Sequence, residues 1–144
     1  MTSTVHSTEV PPSRAAEHIY HLWDEALGRK DLEAALALYA DDALIESPLV
    51  RHLMKTERGI VQGRDNLRRF IARVFETTPA ARRRHRNRLF TDGRFVLWEY
   101  PREAPDGEQM DLFEVMEIEG GLIARHRVYW GWFGLDILTR DEHR

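Results

Sequence analysis

The feature that most restricts the fold is a change of hydrophobic rhythm near Thr77-Thr78-Pro79. Before it, apolar residues recur at helical spacing. After it, they alternate, and turn signals divide the alternation into short runs. Ile19, Leu22, Trp23, Ala26 and Leu27 form one helical stripe that Gly28 closes, with Pro11, Pro12 and Ser13 as its entry. Asp31 is placed to cap a second helix, whose stripe is Leu32, Ala35, Leu36 and Tyr39. Gly63 opens a third, with Leu67, Phe70, Ile71, Val74 and Phe75 on one face. Strands are expected at 43–46, closed by Ser47-Pro48, and then at 83–91, 94–101, 109–118 and 122–132. Asp92-Gly93, Pro105-Asp106-Gly107 and Gly120-Gly121 supply the intervening turns.

Three N-terminal helices followed by a meander define an α+β chain, with helices packed on a curved, mostly antiparallel sheet. Its 144 residues suffice for one domain with a real core. The expected division is a Ser/Thr/Pro-rich disordered lead over 1–13, a domain over 14–133 and a tail over 134–144. There is no cysteine, which excludes disulfides, thiolate metal sites and cysteine nucleophiles. A net charge of −3 gives no general attraction to nucleic acid or an anionic membrane. No apolar run approaches the roughly 18 residues of a spanning helix, and Met1–Ser13 lacks a signal-peptide core, so the expected compartment is the cytoplasm.

Alternation along the last strand puts Ala124, His126, Val128, Trp130 and Trp132 on one face, and Ile123, Arg125, Arg127 and Tyr129 on the other. In the strand before it, Asp111, Phe113 and Val115 share a face. A tight Gly120-Gly121 hairpin sets Asp111 nearly opposite Val128 and diagonal to His126. An aspartate and a histidine so placed form an acid/base pair, or a structural hydrogen bond that closes the sheet. Arg82, Arg83, Arg84, Arg86 and Arg88 form the densest charge run, which reads as a solvated face before it reads as a nucleic-acid patch. His18 and His21 lie off the apolar stripe, so no metal site is expected there. No phosphate-cradling loop or nucleophile elbow appears, and no cofactor is expected. Residues 49–62 form a loop that serves as a lid, a surface excursion or a dimer contact.

The order of these elements, with the string Asp31 to Ala43, the Gly63-led helix, Met110 to Val115, Gly120 to Arg125 and Val128-Tyr129-Trp130, resembles the nuclear transport factor 2-like superfamily in its SnoaL-like and ketosteroid-isomerase-like branch. The resemblance implies a cone-shaped half-barrel with an internal pocket for an apolar small molecule, cyclic ones included, and a homodimer formed through the outer sheet face. It puts Asp111 and His126 on the pocket wall as the catalytic pair. It puts Trp23, Tyr39, Trp98, Tyr100, Phe113, Val128 and Trp130 in or beside the pocket as substrate-binding residues. It also exposes departures. The isomerases' general base falls on Ser47, and the helix-one tyrosine on Trp23. The water-activating aspartate of epoxide-hydrolase-like members falls on Val128, and the cyclases' late acidic residue on Gly131. The expected function is therefore a cofactor-independent isomerase, cyclase, dehydratase or hydrolase using Asp/His chemistry. The alternative is a non-catalytic ligand-binding or dimeric interaction module of the same fold.

Overall fold

A computed structural model describes residues 11–77, 88–103 and 109–140. The element order is α1 (Pro12–Arg29), α2 (Leu32–Leu36), β1 (Tyr39–Glu46), α3 (Pro48–Met54), β2 (Ile60–Gln62), α4 (Arg64–Thr77), β3 (Leu89–Thr91), β4 (Phe95–Glu103), β5 (Gln109–Glu119), β6 (Leu122–Trp130) and α5 (Trp132–Thr139). The arginine run from Arg82 to Arg86, the turn at 105–107 and the side chain of Tyr100 lie outside the described residues.

The strands form one six-stranded sheet in the order β2-β1-β6-β5-β4-β3. All neighbours are antiparallel except β1 and β6, which run parallel. The sheet is open rather than closed into a barrel, so it has a concave face for the helices to cover. The α1 stripe does this: Ala16, Ile19, Tyr20, Trp23 and Ala26 are all buried, against Val96 and Trp98 of β4 and Met116 of β5. Leu67, Phe70, Ile71 and Phe75 of α4 complete the same core.

Several local expectations shift by a few residues for identifiable reasons. Pro12 occupies the first turn of α1, where its missing N–H costs nothing, so the helix begins inside the expected lead. The helix runs past Gly28 and stops at Lys30, which takes the left-handed conformation with φ 54°. Asp31 caps α2 as expected, accepting from Ala34 N at 3.1 Å. That helix ends at Leu36, so Tyr39 belongs to β1 and not to a helical stripe.

The region expected as a loop over 49–62 contains α3 and β2. Ser47 and Pro48 are the reason: the serine hydroxyl accepts from Leu49 N at 3.1 Å and the proline fills the first turn. The tail over 134–144 likewise contributes to α5. Helices thus number five among the described residues, not the expected three.

Candidate acid–base site

Four side chains from α1, β1, β5 and β6 meet in the core between helix and sheet. His126 Nε2 lies 2.7 Å from Glu114 Oε1, and His126 Nδ1 lies 2.8 Å from the Tyr39 hydroxyl. Trp23 Nε1 donates to the same hydroxyl at 3.1 Å. All are buried, with the histidine and glutamate side chains each 4% exposed. Aromatic rings enclose them: Trp23 meets the imidazole edge-on at a centroid distance of 5.3 Å, and Trp98 lies 6.1 Å from it. Tyr20 and Trp98 extend the wall, 4.7 Å apart.

The chemistry of the donors assigns a direction to this chain. An indole N–H can only donate, so Trp23 uses one lone pair of the Tyr39 oxygen. The tyrosine's own hydrogen finds its acceptor in His126 Nδ1, and the assignment that satisfies each partner leaves that nitrogen unprotonated. That leaves the imidazole hydrogen on Nε2, pointing at the Glu114 carboxylate. Burial pushes the Tyr39 hydroxyl well above its ordinary value of 10.0, with the nearby Glu114 charge acting in the same sense and the Trp23 hydrogen bond opposing. Tyr39 therefore stays a donor throughout the working pH range of a protein.

The backbone explains why these residues converge. At the hairpin, Gly120 and Gly121 have φ of 57° and 78°, the left-handed pair that a tight two-residue turn needs. Glu119 and Leu122 pair across it, followed by Ile118 and Ile123. The next pair is Glu117 with Arg125, so Ala124 has no opposite number and forms a bulge. One extra residue reverses which face of β5 accompanies a given face of β6. Beyond the bulge, Met116 is opposite His126, Glu114 opposite Val128 and Leu112 opposite Trp130. Trp98 of β4 lies opposite Glu114, and Ile45 of β1 is aligned with His126. Arg64, at the start of α4, donates to the carbonyls of Tyr39 and Leu36 at 3.2 and 3.4 Å and to Asp41 at 3.1 Å. It thereby fixes the strand segment that carries Tyr39.

The bulge corrects the expected pairing. Asp111 is neither opposite Val128 nor diagonal to His126. It is exposed, on the other face of β5, and its carbonyl accepts from Gly131 N at 2.7 Å. Glu114, three residues on, takes the place beside the histidine. No Gly or Pro marks the bulge, and so strand alternation alone points to the wrong acid.

The expected wall residues divide in the same way. Trp23, Tyr39 and Trp98 are buried around His126. Phe113 shares the outer face with Asp111, is 37% exposed and meets Tyr129 there at 6.4 Å. Val128 and Trp130 are half-buried and line a separate cleft of about 400 Å³ with Ser47, Arg58 and Leu135. Ser47 is 5% exposed and engaged as the α3 cap. Trp98 Nε1 is buried and has no hydrogen-bond partner among the described residues. Among those residues no group of three or more His, Asp or Glu side chains is arranged to hold a metal ion, and no helix is long and apolar enough to cross a membrane.

An open sheet with helices over its concave face, and a polar cluster sealed between them, defines the α+β class of cone-like folds. Within that class, residues 20–126 match the SnoaL-like domain family, and the chain belongs to it. A SnoaL-like protein of unknown function from Burkholderia thailandensis E264 superposes with a TM-score of 0.67 at 16% identity, covering 85% of this chain and 99% of that one. A candidate ketosteroid isomerase from Kribbella flavida DSM 17836 gives 0.64 at 20% identity, covering 83% of this chain and 79% of its own. SalBIII, an epoxide hydrolase/cyclase-like enzyme in pyran ring formation in the polyether salinomycin, gives 0.64 at 18% identity, covering 83% and 93%. At these identities the likeness concerns the fold. No curated protein matches the chain by sequence.

Proposed function

We propose that this chain is a cofactor-independent acid–base protein acting on an apolar small molecule, with Glu114–His126 as its proton-transfer pair. The observation that carries the reading is the hydrogen-bonded series Trp23–Tyr39–His126–Glu114, sealed among aromatic rings. In low-dielectric surroundings a carboxylate joined to an imidazole moves a proton at little reorganisation cost. Glu114 accepts a proton or returns it, His126 sets the charge of the carboxylate, and Tyr39 holds the imidazole in one tautomer. Trp98 Nε1 is a buried donor suited to orienting a ligand carbonyl. SalBIII and the candidate ketosteroid isomerase share the fold, which keeps cyclase, hydrolase and isomerase reactions as the classes to test. A homodimer through the outer sheet face belongs to the same proposal, supported by the exposed Phe113 and Tyr129.

A second reading has its own support. Both imidazole nitrogens are engaged and the pair is almost fully buried, as in a structural polar core that sets strand register. Native mass spectrometry of the purified protein, followed by turnover assays on the molecule it retains, separates the two. Under the acid–base reading, Glu114→Gln and His126→Gln abolish turnover while affinity changes little, and Asp111→Asn retains activity. Equal loss of folding and binding in the first two variants, with no turnover in the parent, assigns the cluster to the core.

A further inference from the structure

We infer that the cleft at the C-terminal ends of β1 and β6 is a second ligand site, for a small amphipathic molecule carrying one oxyanion. The cleft has a volume of about 400 Å³, within the size range of small-molecule sites. It is built where β1 passes into α3 and β6 passes into α5. Its basic side is Arg51 of α3, Arg58 of the following loop and Arg127 of β6. Its apolar side includes Val128, Trp130 and Leu135.

Several other arginines are neutralised. Arg64 meets Asp41, Arg68 meets Glu33, and Arg94 and Arg125 share Glu117. Among the described residues, the side chains of Arg51, Arg58 and Arg127 make neither an ion pair nor a hydrogen bond. Two carboxylates, Glu46 and Glu57, also line the cleft, so three guanidinium groups outnumber two acids. Arg127 is aligned with Glu46 across the parallel strands and acts on Glu117 through space, yet its Nε is buried with no acceptor. The Trp130 indole N–H is buried and unmatched in the same way. Two exposed guanidinium groups and a third on β6, beside an apolar wall, call for an acceptor-rich head joined to a hydrocarbon or ring body. A carboxylate or a phosphate provides that head, and planar guanidinium groups bind either in a fork. The site is separate from the Glu114–His126 cluster, so its failure leaves the proposed acid–base role untouched.

The test is calorimetry and indole NMR on the whole chain with octanoate, octyl phosphate, octanol and inorganic phosphate. At least one of the two octyl anions is expected to bind, and the stronger of them identifies the head group. Octanol and inorganic phosphate should each bind roughly tenfold more weakly or worse, because each has only half of the recognised chemistry. The Trp130 indole resonance should move while that of Trp23 stays in place. The double variant Arg51→Gln/Arg58→Gln should weaken the octyl anion by about tenfold, and Glu46→Gln should strengthen it by about threefold, both with an unchanged thermal midpoint. No binding of either anion, equal binding of octanol or inorganic phosphate, or a response at Trp23 in place of Trp130 would overturn the proposal.

Discussion

His126 Nε2 sits 2.7 Å from Glu114 Oε1, with both side chains 4% exposed. A carboxylate and an imidazole removed from water are costly unless each hydrogen-bonding position is filled. The protein fills both imidazole positions in series, with Glu114 at Nε2, Tyr39 at Nδ1 and Trp23 at the tyrosine oxygen. Removing one member exposes the cost at the next.

Tyr39→Phe keeps the ring and deletes the hydroxyl, leaving both the Trp23 N–H and His126 Nδ1 without their partner. The expected loss of unfolding free energy is about 2–3 kcal/mol, more than one ordinary hydrogen bond contributes. Urea denaturation measures it. A loss under about 0.5 kcal/mol would mean the series is not cooperative.

Glu114→Ala and Asp111→Asn should behave differently. The alanine variant strands a buried imidazole donor and opens a void beside Trp98, for an expected loss of about 3 kcal/mol or more. Asp111 is exposed, and the amide variant should stay within about 0.5 kcal/mol of the parent. Thermal or chemical unfolding of the two variants gives the comparison. Equal losses would contradict the register described for β5 and β6.

That register marks the limit of what the chain reveals before folding. Trp23, Trp98 and His126 are legible as inward-facing because helical spacing and strand alternation each assign a face. The acid beside His126 is not, because the bulge at Ala124 carries no glycine or proline to announce it. Ser47-Pro48 reads as the end of a strand, whereas in the fold the same serine and proline cap and start α3. Tyr39 is ambiguous for a similar reason: it stands three residues beyond Leu36, at helical spacing, and only the cap at Ala37 moves it into β1.

On the outer face, Glu117 is 5% exposed and meets Arg94 at 2.7 Å and Arg125 at 3.6 Å. The Arg94 hydrogen bond is the largest cause holding its carboxyl below the ordinary value of 4.5, with the charges of Arg125, Arg94 and Arg127 adding and desolvation opposing. A depressed folded value means that the stabilisation is complete above the ordinary value and is lost as pH falls through the lower folded one. Glu117→Gln should therefore cost about 0.5–1 kcal/mol near neutrality, a screened value because both arginines are largely exposed. The difference should vanish in acid. Denaturation of parent and variant across that range reads it, and a difference that grows on acidification would reverse the assignment.

Gly59 tests how α3 and β2 are held together. Its φ of 66° is left-handed, and a Cβ there would meet the Ser47 carbonyl oxygen at 2.9 Å. Its own carbonyl accepts from Ser47 N at 3.0 Å. Gly59→Ala is expected to cost about 1–3 kcal/mol, from the backbone conformation and the displaced strand end together. Calorimetric unfolding would register this as a lowered midpoint.

The direction of the hydrogen bonds through His126 is the central claim, and heteronuclear NMR of its imidazole nitrogens reads it directly. The account predicts the hydrogen on Nε2, with Nδ1 as an acceptor, and a shift of the Nδ1 resonance in Tyr39→Phe. A hydrogen on Nδ1 in place of Nε2 in the resting protein would contradict it, because Tyr39 could then no longer donate to the imidazole and Glu114 would face a bare nitrogen.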